Sequence, residues 1–273
     1  MQRARTPAMD GGQGKGEAAR DGQRGGGKTS PMLEGHISKA FDGELATLHV
    51  RLLEMGGLVL DQVRQATRAY TDWSEAAALL VIERERDVNA YNKSIDSEQL
   101  SLIARRAPVA GDLRAILSMA KCIADLERAG DEATKIARAV LGAGSHPGPA
   151  TARDARHLGE TAVASMRLAL EALDTIDIER CNEVIARDKD LDAEYAAGLR
   201  RLLTRAMEDP RHFDVALEAA FVLKSLERIG DHARNLARHI ISMGRDTGAA
   251  APQTGAAASL NGPISGRDST GTR

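Results

Sequence analysis

The segment Leu-Glu-Arg-Ala-Gly-Asp at 126–131 returns almost unchanged 100 residues later, as Leu-Glu-Arg-Ile-Gly-Asp at 226–231. The same shift aligns ten residues that are identical in both copies, Leu117, Ala120, Leu126, Glu127, Arg128, Gly130, Asp131, Ala133, Ala137 and Arg138. A shift of 103 residues aligns 81–89 with 184–192. Repetition over whole segments indicates that the chain contains two copies of one structural unit.

Each copy reads as three amphipathic helices. Apolar residues between Phe41 and Tyr70 recur at alternating steps of three and four, which is the spacing of one helix face. Only 3% of the residues are aromatic, which favours packed helices over sheets. The predicted helices cover 41–70, the stretch from a cap at Asp72 or Ser74 to 105, 112–141, 152–173, 176–207 and 211–243.

Some residues within and between these helices have a predicted role. Asp112 is predicted to cap the third helix, and Asp209-Pro210 to cap the sixth and open its first turn. Gly56 and Gly57 fall inside the first helix and indicate either a close helix contact or a kink there.

The resulting fold prediction is an all-α protein of two tandem, similar three-helix bundles with six long antiparallel helices. The domains are expected at 36–141 and 152–243, joined by a linker at 142–151 that is rich in glycine and proline. Residues 1–35 and 244–273 are rich in small and polar residues and are expected to be disordered. The ordered pattern begins just after Met32, so the true start is expected at either Met1 or Met32.

Composition excludes several classes of function. A net charge of -2 gives no sign of the basic surface that binding to a nucleic-acid backbone requires, so no nucleic acid is expected as a partner. The longest strongly apolar run, 76–82, is far shorter than the roughly 20 residues of a membrane span. No secretory signal is recognisable, and Cys122 and Cys181 read as core residues of a reducing compartment. The expected location is the cytoplasm, peripheral at most to a membrane complex.

The repeated motif carries acid pairs at helical spacing. The acids lie four residues apart, on the flank of the apolar stripe, and equivalent positions of the preceding helix carry a second pair. Clustered carboxylates require neutralisation, and a metal ion held by oxygen ligands from two helices would supply it. The candidate metal ligands are Glu85 with Asn89, Glu127 with Asp131, Asp188 with Asp192, and Glu227 with Asp231.

The identity of the metal is open, with Fe, Mn, Mg and Ca suited to oxygen ligands and Zn less favoured. Asn89 offers only a neutral oxygen, so tighter binding is expected in the second copy. Two alternatives remain: the acids are solvated or paired with neighbouring cations such as Arg128 and Lys135, or the repeated Glu and Arg residues form a buried structural network.

No nucleophile motif, phosphate-binding glycine loop or Glu-x-x-His pair is present in the sequence. We therefore do not expect an enzyme. A metal-dependent enzyme or a metal-storage helical bundle is the alternative function.

The chain resembles the PhoU family of phosphate-signalling accessory proteins. The resemblance extends from His36 to Met243. It rests on the two Leu-Glu-Arg-x-Gly-Asp segments, on Met-Gly-Gly-Leu-Val at 55–59, on Ala-Gly-Asp-Leu-Arg at 110–114, and on His-Ile-Ser at 36–38 followed by Phe41.

This resemblance implies a function that spacing alone does not supply. The family represses the phosphate-starvation response, acting as an adaptor between the phosphate ABC transporter, through its ATPase subunit, and a sensor histidine kinase. Its fold is a pair of tandem three-helix bundles, members often form homodimers, and some bind iron or other metals through acidic pairs that match those named above. The expected role is thus a negative regulator of phosphate uptake and phosphate-starvation signalling.

Overall fold

A computed structural model describes residues 39–108, 110–142 and 146–246. These residues form six α-helices and no strand: α1 Lys39–Thr71, α2 Glu75–Arg106, α3 Ala110–Gly142, α4 Pro149–Thr175, α5 Ile178–Glu208 and α6 Phe213–Asp246. The all-α prediction is confirmed. The predicted tail 1–35, the start at Met32 and the segment 36–38 lie outside the described residues, as does the predicted C-terminal tail beyond residue 246.

The caps differ in part from those predicted. Ser74, not Asp72, caps α2, because its hydroxyl accepts a hydrogen bond of 3.3 Å from the amide of Ala77. Asp112 lies in the first turn of α3 and does not cap it, since that helix already begins at Ala110. In the first turn an acidic side chain still interacts favourably with the positive end of the helix dipole.

The second bundle also has shifted boundaries. Helix α4 begins at Pro149, within the predicted linker, and Pro210 belongs to a 3-10 turn, Pro210–His212, that precedes α6. Ile176 ends α4 in a left-handed conformation, so α5 starts later than predicted, with Asp177 as its cap. Helix α6 continues three residues beyond the predicted end of the bundle.

The two bundles share one core. Helices α1, α3, α6 and α4 form a ring of four in which each packs on the next, whereas α2 and α5 lie outside against α3 and α6. The buried apolar residues of both repeats form a single cluster. Cys122 and Cys181 are both buried in it as free thiols, and burial raises the pKa of Cys181 to about 12. In the first repeat, α1 and α3 therefore bury one face against α2 and another against the second repeat. In the second repeat, α4 and α6 do the same with α5 and the first repeat.

Two glycines explain how closely α1 and α4 approach. A Cβ atom at Gly56 would lie 2.3 Å from Cδ2 of Leu170, and one at Gly159 would lie 2.3 Å from Cγ2 of Thr67. The two contacts are equivalent, because Gly159 lies 103 positions after Gly56 and Leu170 lies 103 positions after Thr67. Gly56 thus marks a close helix contact, whereas Gly57 has open space beside it.

Among the described residues, none of the helices is long and apolar enough to cross a bilayer.

Candidate functional site

The predicted acid pairs lie at two equivalent seams, one in each repeat. The first acid cluster lies where α2 packs on α3, and the second where α5 packs on α6. The first contains Glu85, Asn89, Glu127 and Asp131, and the second contains Asp188, Asp192, Glu227 and Asp231. The two seams flank the crossing of α3 and α6.

In the first acid cluster, neutral side chains saturate the buried carboxylate. Glu85 is 8% exposed. Its Oε2 accepts hydrogen bonds from Nε2 of Gln62 at 2.7 Å and from Oγ1 of Thr134 at 3.1 Å. Its Oε1 accepts a bond of 3.0 Å from Nδ2 of Asn89. No cation side chain lies among these partners, so the negative charge of Glu85 is solvated by dipoles and is not neutralised.

The remaining acids of this cluster have basic side chains nearby but form no ion pair with them. Neither Glu127 nor Asp131 forms an ion pair with any residue that the structure describes. Burial, and then the neighbouring carboxylates of Asp131 and Glu85, raise the pKa of Glu127. The exposed Asp96 adds a smaller effect in the same direction, and Arg128 opposes it. The first acid cluster therefore holds an excess of negative charge.

Gly130 leaves little room for a side chain beneath this cluster. A Cβ atom there would lie 3.0 Å from Oε1 of Gln62 and 3.3 Å from Oε2 of Glu85. The missing side chain lets the polar groups of α1 and α2 reach the backbone of α3. Gly230 admits an apolar group instead, because its Cβ would lie 2.7 Å from Cδ2 of Leu191.

The second acid cluster contains its own cations. Arg234 forms ion pairs with Asp188 and, through Nη2 at 2.6 Å, with Asp231. Lys224 Nζ lies 2.6 Å from Oε2 of Glu227. Asp188 and Glu227 are 7% and 8% exposed, so these two acids are buried, whereas the Lys224 side chain is 40% exposed.

One acid of the second cluster has no such partner. Burial, and then the carboxylates of Asp188 and Asp231, raise the pKa of Asp192, whereas Arg234 and Lys224 lower it. Oδ1 of Asp188 is also buried without a hydrogen-bond partner. The second acid cluster therefore contains one exposed carboxylate, that of Asp192, and one buried oxygen without a hydrogen bond, Oδ1 of Asp188. Arg234 already forms ion pairs with two of its acids.

These contacts decide how well a metal ion would fit each cluster. In the second, Arg234 and Lys224 stand where a metal ion would neutralise the acids, as in the alternative of a structural ion-pair network. This geometry argues against the expectation of tighter metal binding in the second copy. In the first, the donor set of Glu85, Glu127 and Asp131 suits a hard cation, because its charge is uncompensated. Among the described residues, however, no three acidic, histidine or cysteine side chains form an assembled metal site.

A third polar group lies at the crossing of α3 and α6 and was not predicted. Asp125 is 4% exposed and lies between Nδ1 of His232 at 3.0 Å and Nε2 of His239 at 3.1 Å. Burial alone would raise the pKa of Asp125, but the two histidine hydrogen bonds outweigh it and hold that pKa well below its usual range. Seven residues further along α3, Glu132 contacts Arg228 of α6 at 3.2 Å. The interface between the repeats is therefore polar at its centre.

The sequence held a partial signal for this interface. His232 and His239 are seven residues apart and so share one helix face, yet their partner lies 107 and 114 residues earlier in the chain. Only the packing of α3 on α6 brings them together.

The chain matches known proteins over most of its length. The family model described as the PhoU domain matches residues 52–140 and 155–240, that is, once in each repeat. The chain is 42% identical over 216 residues to a protein of Pseudomonas putida named phosphate-specific transport system accessory protein PhoU homolog, covering 79% of this chain and 84% of that protein.

Two further comparisons agree with this match. A protein of the same name from Pseudomonas aeruginosa is 41% identical over 216 residues, covering 79% of this chain and 89% of that protein. The crystal structure of PhoU from Pseudomonas aeruginosa superposes with a TM-score of 0.70 at 40% identity, covering 75% of this chain and 99% of that one. The described fold and the sequence match thus identify the same family.

Proposed function

The chain belongs to the PhoU family, and from this we infer that it is an accessory protein of a phosphate-specific transport system with a regulatory role. The observation that supports the inference is the match of both repeats to the PhoU domain, together with the accessory role in the names of its relatives. A non-enzymatic role agrees with those names, since they describe accessory proteins and no activity.

We propose that the regulation works through contacts with other proteins. The partners would be the ATPase subunit of a phosphate ABC transporter and a sensor histidine kinase, with repression of phosphate-starvation signalling as the outcome. The proposal implies a cytoplasmic location, on the inner side of the transporter. A surface for such contacts is available on α6, where Phe213, Leu217 and Phe221 are all exposed. Exposed apolar groups of this size favour protein contacts, including a homodimer.

A binding experiment tests the proposal directly. The full chain, immobilised, should retain the purified ATPase subunit and the cytoplasmic part of the kinase, and light scattering should give the mass of a dimer. Replacement of Phe221 by Ser should weaken at least one of these contacts, whereas replacement of the exposed Leu79 on α2 should not. Retention of neither protein, with a phosphate-starvation reporter unchanged after deletion of the gene, would contradict the proposal.

We also propose that a metal ion of the Fe, Mn, Mg or Zn type binds at the first acid cluster. The support is its uncompensated charge, with Glu85, Glu127 and Asp131 as the ligating acids and the neutral oxygen of Asn89 beside them. Such an ion would neutralise the acids and tie α2 to α3. The acids of the second acid cluster, Asp188, Asp192, Glu227 and Asp231, would contribute less, because Lys224 and Arg234 already bind them. Elemental analysis of the protein purified without chelator tests whether metal is present at all.

A further inference from the structure

A groove between α1 and α4 has no part in the function proposed above. It encloses a cavity of about 530 Å³. In the ring of four central helices, the seam of α1 and α4 lies on the opposite side from the seam of α3 and α6. The groove is thus remote from both acid clusters and from the His–Asp–His contact.

Arginine dominates the lining of this groove. Four arginines line it, against the two acids Asp72 and Glu160: Arg64, Arg68, Arg156 and Arg167. We call this the arginine groove. Its lining carries a formal charge of two positive units, from four basic and two acidic side chains. A chain with a net charge of -2 has therefore concentrated positive charge at one concave site.

Two of the four arginines are free of ion pairs within the described part of the chain. Arg156 contacts Asp72 at 3.1 Å, and Arg64 contacts Asp61 at the longer distance of 3.6 Å. Arg68 and Arg167 are exposed, and neither forms an ion pair with the residues that the structure describes. Two guanidinium groups on opposing helices thus line one cavity and form no ion pair with the acids Asp72 and Glu160 that also line it.

The helix crossing itself builds the cavity. Arg64 and Arg167 occupy the same position in the two repeats, 103 residues apart, so the approach of α1 to α4 brings them to either side of the seam. Gly159 forms part of the floor, and its lack of a side chain is enforced by Thr67, which a Cβ atom would meet at 2.3 Å. Val163 and Ala164 add an apolar section of wall.

We propose that the arginine groove binds a small molecule with two or more linked phosphate groups. The guanidinium fork binds phosphate oxygens with two parallel hydrogen bonds, and a phosphate group can accept such forks from more than one side. Arg68 and Arg167 lie on opposing helices of the groove, so two linked phosphate groups could each meet one of the two guanidinium groups that form no ion pair with the described residues. The cavity volume lies within the range of small-molecule sites, which is roughly 300 to 1,000 Å³. The apolar wall leaves room for an organic group attached to the phosphates.

Calorimetric titration tests the proposal, with pyrophosphate, ADP and inorganic phosphate as probes and the full chain as receptor. The test variant is Arg68→Gln combined with Arg167→Gln. The matched control is Arg86→Gln combined with Arg200→Gln, which removes one exposed arginine from each repeat outside the groove. Circular dichroism should show that both double variants keep the helical content of the parent.

The expected result is saturable binding of pyrophosphate and ADP, at least tenfold tighter than that of inorganic phosphate. The test variant should lose at least tenfold in affinity and the control less than twofold, and added salt should weaken binding to the parent. Absence of saturable binding, equal affinity for inorganic phosphate, or equal affinity of both variants would each overturn the proposal. A parent that binds none of the probes but floats with anionic lipid vesicles, where the test variant does not, would identify a membrane-facing patch instead.

These outcomes are independent of the transporter and kinase. A failed retention of those proteins leaves the titration unaffected, and a failed titration leaves the retention experiment unaffected.

Discussion

The second acid cluster contains two cations that the first lacks. Lys224 and Arg234 occupy positions where the first repeat has Ala124 and Thr134, 100 residues earlier. In one repeat the buried acid is bonded by a guanidinium, and in the other it accepts hydrogen bonds from neutral donors. The duplicated motif is almost identical in the two copies, so the motif alone does not determine the chemistry of the site. The residues that differ around it do.

Physically, the two solutions carry different costs. A buried ion pair is self-contained, but losing one partner leaves an uncompensated buried charge. A carboxylate held by dipoles keeps its net charge and therefore remains able to attract a cation from solution. We accordingly interpret the second acid cluster as structural and the first as the one open to a ligand.

The largest effect is expected from Arg234→Met. It should lower the free energy of unfolding by about 3 kcal/mol, because the largely buried Asp188 loses its counter-charge. Urea denaturation followed by circular dichroism measures this loss. The matched control is Arg238→Met on the exposed face of the same helix, which should change stability by less than about 0.5 kcal/mol. Equal losses in the two variants would show that Arg234 is not the structural cation of the second acid cluster.

In the first acid cluster, Gln62→Leu should lower the free energy of unfolding by about 2 kcal/mol, because Glu85 loses a buried hydrogen-bond donor. The same urea titration applies. Gln65→Leu serves as the control, since its amide bonds Asp61 in a partly exposed position. If the two variants were equally stable, the neutral donors would not be what holds Glu85 in place.

Metal binding distinguishes the clusters by function. Glu127→Ala should reduce the affinity for Mn²⁺ by about tenfold, which corresponds to about 1.4 kcal/mol, and Glu227→Ala by less than about twofold. Calorimetry on protein first stripped by chelator measures both, with elemental analysis of the unstripped protein beside it. A larger loss from Glu227→Ala would reverse the comparison and restore the order expected from the acid count alone.

The smallest effect concerns the unneutralised charge of Glu127. Its pKa is raised in the folded protein above the ordinary 4.5, so the folded state holds its proton more tightly and is penalised once the group ionises. Glu127→Gln should therefore raise the free energy of unfolding by about 0.3 kcal/mol near neutral pH, and this gain should vanish below the pKa of the unfolded chain. Chemical denaturation across this pH range is the measurement. The matched control is Glu83→Gln on the exposed face of α2, which should leave the free energy of unfolding nearly unchanged.

The sequence predicted the fold well because helical periodicity is a local signal and the duplication can be read directly from the sequence. Six helices follow from apolar spacing, and the repeat alone indicates that they form two similar units. The sequence also predicts which acids form pairs, because helical spacing determines which side chains share a face. The shared motif does not predict the chemistry at the positions where the two copies differ, such as Thr134 in the first and Arg234 in the second.

Other features depend on packing between the repeats and have no local signal. The partners of Asp125 come from the other repeat, on the opposite side of the α3–α6 crossing. The arginine groove likewise combines side chains of α1 and α4. A pattern within one helix can predict the direction of a side chain, but it does not name the helix from another repeat that will meet it.

The exchange of contacts at Gly56 and Gly159 has a consequence for cooperativity. The space beside each glycine is filled by a side chain of the other repeat, so neither repeat has a complete core of its own. Severing the connection between α3 and α4 would leave two fragments with apolar faces matched only to each other. The folding unit is the pair of repeats, and heat or denaturant should melt both in a single transition.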